Sequence, residues 1–191
     1  TSVRDLAREM GITGTSLYNA FGDKRALFAR ALETYCEQAT RERLKRIEAQ
    51  HPPREAIAVF FGEIVARSAA DKARRGCFLV NSALDVAPHD AELGQRIGDY
   101  LGEIAKFFER LIRAGQTEGT IAAHLDVTET ARMLLSMVLG IRVLARARPD
   151  RSVLEGLVRP ALAMLAAPPS VRTSKPGKQK SAKRPAKRSE R

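Results

Sequence analysis

The chain has 191 residues, of which 44% are hydrophobic, and its 33 Lys and Arg against 22 Asp and Glu give a net charge of +11. This hydrophobic content excludes disorder along the whole chain, and two cysteines exclude a disulfide-stapled scaffold and suit a reducing cytosol. The longest apolar stretch, residues 133–145, contains Arg142 and is shorter than the roughly 20 residues that a membrane helix needs. Residues 1–9 are polar and charged, so we expect neither a signal peptide nor a membrane anchor.

The positive charge is concentrated in residues 168–191, which carry nine Lys or Arg, one Glu and four prolines, but no aromatic residue. This segment has a net charge of +8 and leaves only +3 for the other 167 residues. Its apolar surface is too small to offset chain entropy, so we expect a disordered basic tail behind a nearly neutral globular body. The tail either grips duplex DNA without sequence preference or is solvated without a partner, and its composition leaves both alternatives open.

Helical periodicity dominates the body, and no segment alternates apolar and polar residues as a strand would. In chain order, the pattern predicts helices over residues 3–10, 13–21, 23–49, 54–70 and 77–85. A long helix then begins at Asp90 and ends at Gly115 and Gly119, the next begins at Asp126 or Thr128, and Ser152 caps the last. Because residues 133–144 are apolar nearly all round, we expect that helix to be covered by a second subunit as well as by its own core.

The two short helices at the start have the proportions of a helix-turn-helix. The second turns Leu17 and Phe21 inward and leaves outward a polar face without Asp or Glu, as suits a helix that approaches the charged backbone of DNA. The residues of this face are Thr13, Gly14, Thr15, Ser16, Tyr18 and Asn19. Lys24 begins the next helix and is placed for a phosphate contact. Two short helices also occur in ordinary core hairpins, so the pattern alone leaves that alternative open.

The order and spacing of apolar residues in VRDLAREMGITGTSLYNAFGDKRALFARAL resemble the DNA-binding motif of the tetracycline-repressor-like (TetR) family of bacterial regulators. The matching residues are Val3, Leu6, Ala7, Gly11, Ile12, Leu17, Tyr18, Phe21, Lys24, Leu27 and Phe28. The resemblance implies an all-α homodimer with a DNA-binding lobe and a larger helical lobe for a small effector. By position it implies that Thr13, Gly14, Thr15, Ser16 and Asn19 face the groove, while Tyr18 and Lys24 hold phosphates. A surface plug for Tyr18 and a solvated charge for Lys24 are the alternatives.

Two features depart from the family pattern. The family has a full helix before Val3, where this sequence has only two residues, so the apolar side chains of Leu6, Leu17, Phe21 and Leu27 lack part of their cover. We therefore expect an N-terminally truncated first lobe that is unstable or binds DNA poorly. Ala20 stands where members often have a larger hydrogen-bonding residue, which weakens any inference about the operator.

The resemblance divides the chain into a DNA-binding lobe with its connecting helix (1–48), an effector-binding and dimerisation domain (49–167) and the basic tail (168–191). It places aromatic side chains around the effector. The expected lining is Phe60, Phe61, Ile64, Cys77, Phe78, Asn81, Phe107, Phe108 and Leu111. Core packing is the alternative for each Phe, and Asn81 and Ser82 either orient a ligand or lie on a helix surface. Cys77 either senses electrophiles or oxidants, as a Gly-Cys cysteine does in some members, or is a small buried hydrophobe.

Signs of catalysis are absent from the sequence. The three histidines have no metal-ligand spacing, and no nucleophile elbow, phosphate loop or dinucleotide fingerprint occurs, so we expect no enzymatic activity, metal or cofactor. We predict a cytoplasmic, nucleoid-associated transcriptional repressor that binds operator DNA and a small effector. Its homodimer is expected to form through residues 128–146 and 152–166, as a four-helix interface. The rival hypothesis is a DNA-coating protein driven by the tail.

Overall fold

The structure, a computed structural model, describes residues 2–167 and is built there from α-helices, with one isolated β-bridge between Ile121 and Ala166. The predicted all-α fold is therefore confirmed. The basic tail, for which the sequence predicts disorder, lies outside the described residues. Within residues 2–167, no helix combines the length and the apolar character that crossing a membrane requires.

The chain begins with two short helices and a long one. Helix α1 (Val3–Met10) and α2 (Gly14–Phe21) form the predicted pair. Helix α3 (Lys24–Tyr35), a π-helical segment (Cys36–Arg41) and α4 (Glu42–Gln50) then follow without a break, because the junction residues keep right-handed helical angles. The predicted long helix is present, but its periodicity did not predict the π-helical turns inside it.

Five further helices complete the body: α5 (Pro53–Ala70), α6 (Phe78–Asp85), α7 (Ala91–Thr117), α8 (Val127–Ala147) and α9 (Arg151–Leu165). Two of them begin at the predicted caps, α8 at Asp126 and α7 at Asp90, whose carboxylate accepts a hydrogen bond from the Leu93 amide at 3.0 Å. The last helix is an exception. Asp150 rather than Ser152 caps it, accepting hydrogen bonds from the amides of Ser152 (2.8 Å) and Val153 (3.3 Å).

The end of α7 also differs from the prediction. Gly115 does not end this helix, which continues to Thr117 before Gly119 leaves it with a φ of +71°. Gly115 is instead a packing position, because its bare Cα lets the buried side chain of Ile121 fold back against the helix.

The main core forms where α5 packs against α7, α8 and α9. Its centre is a cluster of four fully buried aromatic rings, Phe60 and Phe61 from α5 and Phe107 and Phe108 from α7. Phe61 and Phe108 are stacked with centroids 5.7 Å apart, and Phe60 meets Phe108 edge to face at 5.2 Å. The four rings pack directly against one another, as side chains of a hydrophobic core do.

The first lobe has a much smaller core. Leu17 is fully buried between the short helices and α3, whereas Leu6, Phe21 and Leu27 remain partly exposed. The low stability expected of this lobe stays a prediction.

Candidate DNA-binding surface and effector cavity

The turn between α1 and α2 sets the direction of the second helix. Gly11 adopts a left-handed conformation (φ +66°), and the amides of Gly11 and Ile12 close α1 by donating to the carbonyls of Arg8 and Ala7. Thr13 then caps α2, because its hydroxyl accepts a hydrogen bond from the Ser16 amide at 3.0 Å. The result is a tight turn between two short helices, the arrangement of a helix-turn-helix.

Helix α2 presents a polar outer face to solvent. Leu17 points into the lobe with no exposed area, while the Tyr18 side chain is 51% exposed. The other predicted contact residues are exposed or, for Gly14, partly exposed: Thr13, Gly14, Thr15, Ser16 and Asn19. Small side chains allow close backbone approach, and the helix has no acidic residue that would repel a phosphate.

Lys24 lies just beyond this face. Gly22 ends α2 with a φ of +81°, and Asp23 caps α3 by accepting a hydrogen bond from the Ala26 amide at 2.7 Å. Lys24 is therefore the first residue of α3 and is exposed to solvent. The structure thus brings the seven predicted DNA-binding residues to the outer side of one small lobe.

A cavity of about 710 Å³ opens behind the long connecting helix, within the size range of small-molecule sites. The connecting helix contributes Tyr35, Ala39 and Arg43 to its wall, and the other walls come from α5, the loop of residues 71–76, α6 and α8. Of the expected lining, Phe78 and Asn81 face this cavity. The remaining expected residues are not part of its wall, and all but Cys77 are fully or almost fully buried in the core: Phe60, Phe61, Ile64, Phe107, Phe108 and Leu111.

Cys77 caps α6 at the edge of this cavity and is half-buried. The hydroxyl of Tyr35, which lines the cavity, donates a hydrogen bond to the Cys77 sulfur at 3.5 Å. Burial, followed by the neighbouring Cys77, raises the pKa of Tyr35 to about 12, so the hydroxyl keeps its proton for this contact. The cysteine therefore contacts the cavity wall through Tyr35.

Six arginines in the cavity wall were not predicted from the sequence: Arg43, Arg67, Arg74, Arg75, Arg142 and Arg146. They come from four segments that are far apart in the chain, so no local motif joins them. The sequence signal nearest to the site is the run Arg74-Arg75-Gly76-Cys77 before α6, which contains two of the six arginines.

Arg43 is the most buried of these arginines. Its Nε is buried without a hydrogen-bond partner among the described residues, and its guanidinium carbon lies 5.1 Å from the centre of the Phe60 ring. Burial, together with the nearby charges of Arg142 and Arg67, lowers the pKa of Arg43 to about 10. Within residues 2–167, Arg142 makes one side-chain hydrogen bond, to the hydroxyl of buried Ser68 at 3.2 Å.

Phe78 connects the cavity to the DNA-binding lobe. Its ring meets Phe28 edge to face with centroids 5.3 Å apart and Tyr35 at 5.7 Å, and both partners belong to α3. Phe28 lies one turn after Lys24. A group that moves Phe78 therefore acts directly on the helix that follows α2.

Comparison with known proteins finds family matches in both parts of the chain. Residues 1–31 match the model for bacterial regulatory proteins of the tetR family, and residues 53–160 match the tetracyclin repressor-like C-terminal domain. The chain is 30% identical over 166 residues to an uncharacterized HTH-type transcriptional regulator, YezE of Bacillus subtilis, covering 86% of both chains. It is 24% identical over 147 residues to the HTH-type transcriptional repressor ComR of Escherichia coli, covering 76% of this chain and 70% of ComR.

A solved structure extends the comparison to a DNA complex. A cysteine mutant of the TetR family transcriptional regulator CifR, complexed with 26-bp double-strand operator DNA, superposes with a TM-score of 0.75 at 33% identity, over 85% of each chain. The family models and these relatives agree with the helix-turn-helix and the helical second domain described above. The chain therefore belongs to the tetracycline-repressor-like family of DNA-binding bacterial transcriptional regulators.

Proposed function

We propose that this protein is a homodimeric repressor whose affinity for a specific operator is set by a small effector bound in the cavity behind the connecting helix. The observation that carries the proposal is the outer face of α2, which is exposed, rich in hydroxyl groups and free of acidic residues. It acts with chromosomal DNA in the cytoplasm.

Each side chain of this face has a distinct role in the proposal. Thr15, Ser16 and Asn19 contact base edges in the major groove, because hydroxyl and amide groups both donate and accept hydrogen bonds there. Tyr18 and Lys24 hold phosphates on either side and set the register of the helix. Two such helices in a dimer read half-sites about 34–36 Å apart or a multiple of that distance.

The dimer is proposed to form through α8 and α9. Both helices expose large apolar side chains in the single chain: Val143 is 47% exposed, Leu157 44% and Met164 39%. Such side chains on two adjacent helices form a face that a second copy covers as a four-helix interface. This placement agrees with the interface expected over residues 128–146 and 152–166.

Effector control follows from the connecting helix. The cavity touches this helix at Tyr35, Ala39 and Arg43, on both sides of the π-helical segment, and the same helix begins beside α2 at Lys24. Different positions of this helix give different distances between the two α2 helices of the dimer. An effector that binds one position more tightly than another shifts the population towards that position, by an amount set by the difference in affinity. Single π-helical turns often lie at functional sites, as this one does.

Selection of bound sequences from random duplex DNA, followed by titration of the selected site, tests the proposal. Asn19→Ala should relax base preference at one or two positions of each half-site. Lys24→Gln should weaken all sequences alike and reduce the salt slope by about 1 per subunit. Lys45→Gln replaces an exposed lysine on α4 and is the matched control; it should leave the operator affinity and the salt slope unchanged. An affinity ratio near one between selected and random DNA would favour the DNA-coating rival and overturn the proposal.

A further inference from the structure

The six arginines of the cavity wall have few carboxylate partners. Outside the cavity, arginines such as Arg25, Arg41 and Arg110 each bind a carboxylate through short hydrogen bonds. Among the six arginines of the cavity wall, only Arg75 forms an ion pair within residues 2–167, with Asp71 at 3.6 Å. The wall therefore collects positive charge that the described part of the chain does not neutralise.

The carboxylates nearest to this charge are already engaged. Asp71 Oδ2 accepts a hydrogen bond from the Gly76 amide at 2.8 Å, which closes the loop before α6. Glu63, which lies near Arg43, is bound through Oε1 to Arg46 at 2.6 Å. Asp71 itself lines the cavity, and each carboxylate keeps one buried oxygen without a hydrogen-bond partner among the described residues. Two carboxylates offset only part of the charge of six guanidinium groups, so the wall keeps an excess of positive charge that suits an anion from outside the chain.

The cost of this arrangement is greatest at Arg43. Arg43 is half-buried, and its Nε is buried without a hydrogen-bond partner among the described residues. Arg142 and Arg67 repel its charge more than Glu63 attracts it, so an anionic ligand would lower the cost of this arrangement. Arg142 brings a second guanidinium from α8, and its hydrogen bond to Ser68 fixes its direction. Both arginines line the cavity, Arg43 from α4 and Arg142 from α8.

The wall also contains apolar and aromatic side chains. Tyr35 and Phe78 pack edge to face, and Ala39, Ala70 and Ala145 line the cavity as well, beside the polar side chains of Ser68, Asp71 and Asn81. An apolar or aromatic body fits against these side chains, while its charged end reaches the arginines.

We propose that the cavity binds a small organic anion, an aromatic or aliphatic carboxylate or phosphate ester, whose charged group is held between Arg43 and Arg142. This proposal deepens the proposed function, because it names the chemical class of the effector of the same site. The anion pairs with the unpartnered Arg43, and its body presses on Phe78, which contacts Phe28 on α3. Binding of the anion at the arginines therefore changes the position of the DNA-binding lobe through Phe78 and Phe28.

Isothermal titration and thermal melting of the protein with three probes test the proposal. Benzoate and phenyl phosphate carry the two candidate anionic groups, and benzamide is a neutral analogue of benzoate. We expect saturable binding and a raised melting temperature with at least one anion and no effect of benzamide. Inorganic phosphate, which lacks the apolar body, should bind more weakly than phenyl phosphate, and the stronger of the two anions identifies the group that the site prefers.

Two variants assign the binding to the cavity. Arg43→Met or Arg142→Met should weaken anion binding by about tenfold or more, the loss expected when one charge-assisted contact is removed. Arg113→Met, an exposed arginine on α7 outside the cavity, should bind as the unmodified protein does. Because Arg43→Met removes a like-charge repulsion, it should also melt at an equal or higher temperature without ligand. If Arg43 served only to stabilise the fold, Arg43→Met would instead melt at a lower temperature than the unmodified protein.

The outcomes separate this proposal from the proposed function. Absence of binding by both anions, or binding that survives both arginine variants, overturns the anion site even if the selected operator is still bound. Anion binding without a change in operator affinity upholds the anion site and overturns effector control.

Discussion

Arg25 on α3 and Asp90 at the start of α7 form an ion pair that ties the DNA-binding lobe to the larger domain. Arg25 Nε donates to Asp90 Oδ2 at 2.6 Å, and Nη2 donates to Oδ1 at 3.0 Å and to Glu92 at 2.8 Å. The same Asp90 carboxylate caps α7 through the Leu93 amide. Since Arg25 directly follows Lys24, this contact fixes the end of α3 that carries Lys24.

The Arg25–Asp90 pair makes part of the stability dependent on acid. The Arg25 hydrogen bonds, followed by the Leu93 amide, lower the pKa of Asp90 from its ordinary value of 3.8 to about 2. Because the pKa is lower in the folded state, the contribution of Asp90 is complete above about pH 4 and is lost as the pH falls towards 2. Asp90→Asn, which keeps a good helix cap, should therefore lose less melting temperature between pH 4 and pH 2 than the unmodified protein.

Asp99→Asn is the control for this experiment. Asp99 lies on the same helix but is exposed and accepts a hydrogen bond only from Gln95 among the described residues. Its replacement should leave the acid dependence unchanged. Equal acid sensitivity of Asp90→Asn and the unmodified protein would contradict the role assigned to the pair.

Local signals in the sequence were enough for most of the fold. Ser2, Thr13, Asp23 and Asp90 precede the helices that they cap, because a short polar side chain can satisfy amides that lie only two or three residues away. Asp150 was missed because Ser152 is also a good cap, and only the backbone conformation decides between them. The π-helical segment was missed because helical periodicity does not distinguish a short π-helical stretch from continuous α-helix.

The DNA-binding face was predictable, whereas the cavity was not. The residues of α2 are adjacent in sequence, so their outward face follows from helical periodicity alone. The cavity instead depends on which side chains of distant helices meet. An aromatic side chain suits either a core or a ligand site, so the sequence did not show that Phe60 and Phe108 pack on each other. It also did not show that Arg43 and Arg142 line the cavity instead.

The corner after α7 gives a test of packing with a matched control on the same helix. A Cβ at Gly115 would lie 2.6 Å from two side-chain carbons of Ile121, which is 1% exposed and has no room to move away. Gly115→Ala should therefore destabilise the protein by about 1–3 kcal/mol in chemical denaturation. Gly98→Ala, which meets nothing within 4 Å, should stabilise it by about 0.5–1 kcal/mol, as alanine does in a helix interior. A loss of stability at both positions would show that the effect is not a contact with Ile121.

The two cysteines should react at very different rates. Burial, with smaller effects from Cys77 and Glu103, raises the pKa of Cys36 to about 12, and the side chain is 1% exposed. Cys36 is therefore a protonated, covered thiol at neutral pH, while half-buried Cys77 lies at the cavity edge. Limited alkylation followed by peptide mass spectrometry should label Cys77 and spare Cys36, and Cys77→Ser should abolish labelling. An unreactive Cys77 in the native protein would remove the hypothesis that it senses electrophiles or oxidants.

The apolar face of α8 and α9 can be tested without disturbing the core. Leu157→Glu places a charge where the side chain is 44% exposed in the single chain, so the subunit should stay folded while the dimer dissociates. Sedimentation velocity at micromolar concentration should then show a monomer with an unchanged helical circular dichroism spectrum. Leu84→Glu, on α6 and 58% exposed, introduces the same charge elsewhere and should remain dimeric. Because a monomer engages one half-site at a time, Leu157→Glu should also lose the gain in operator affinity that linked binding provides. A Leu157→Glu dimer with full operator affinity would place the interface elsewhere on the molecule.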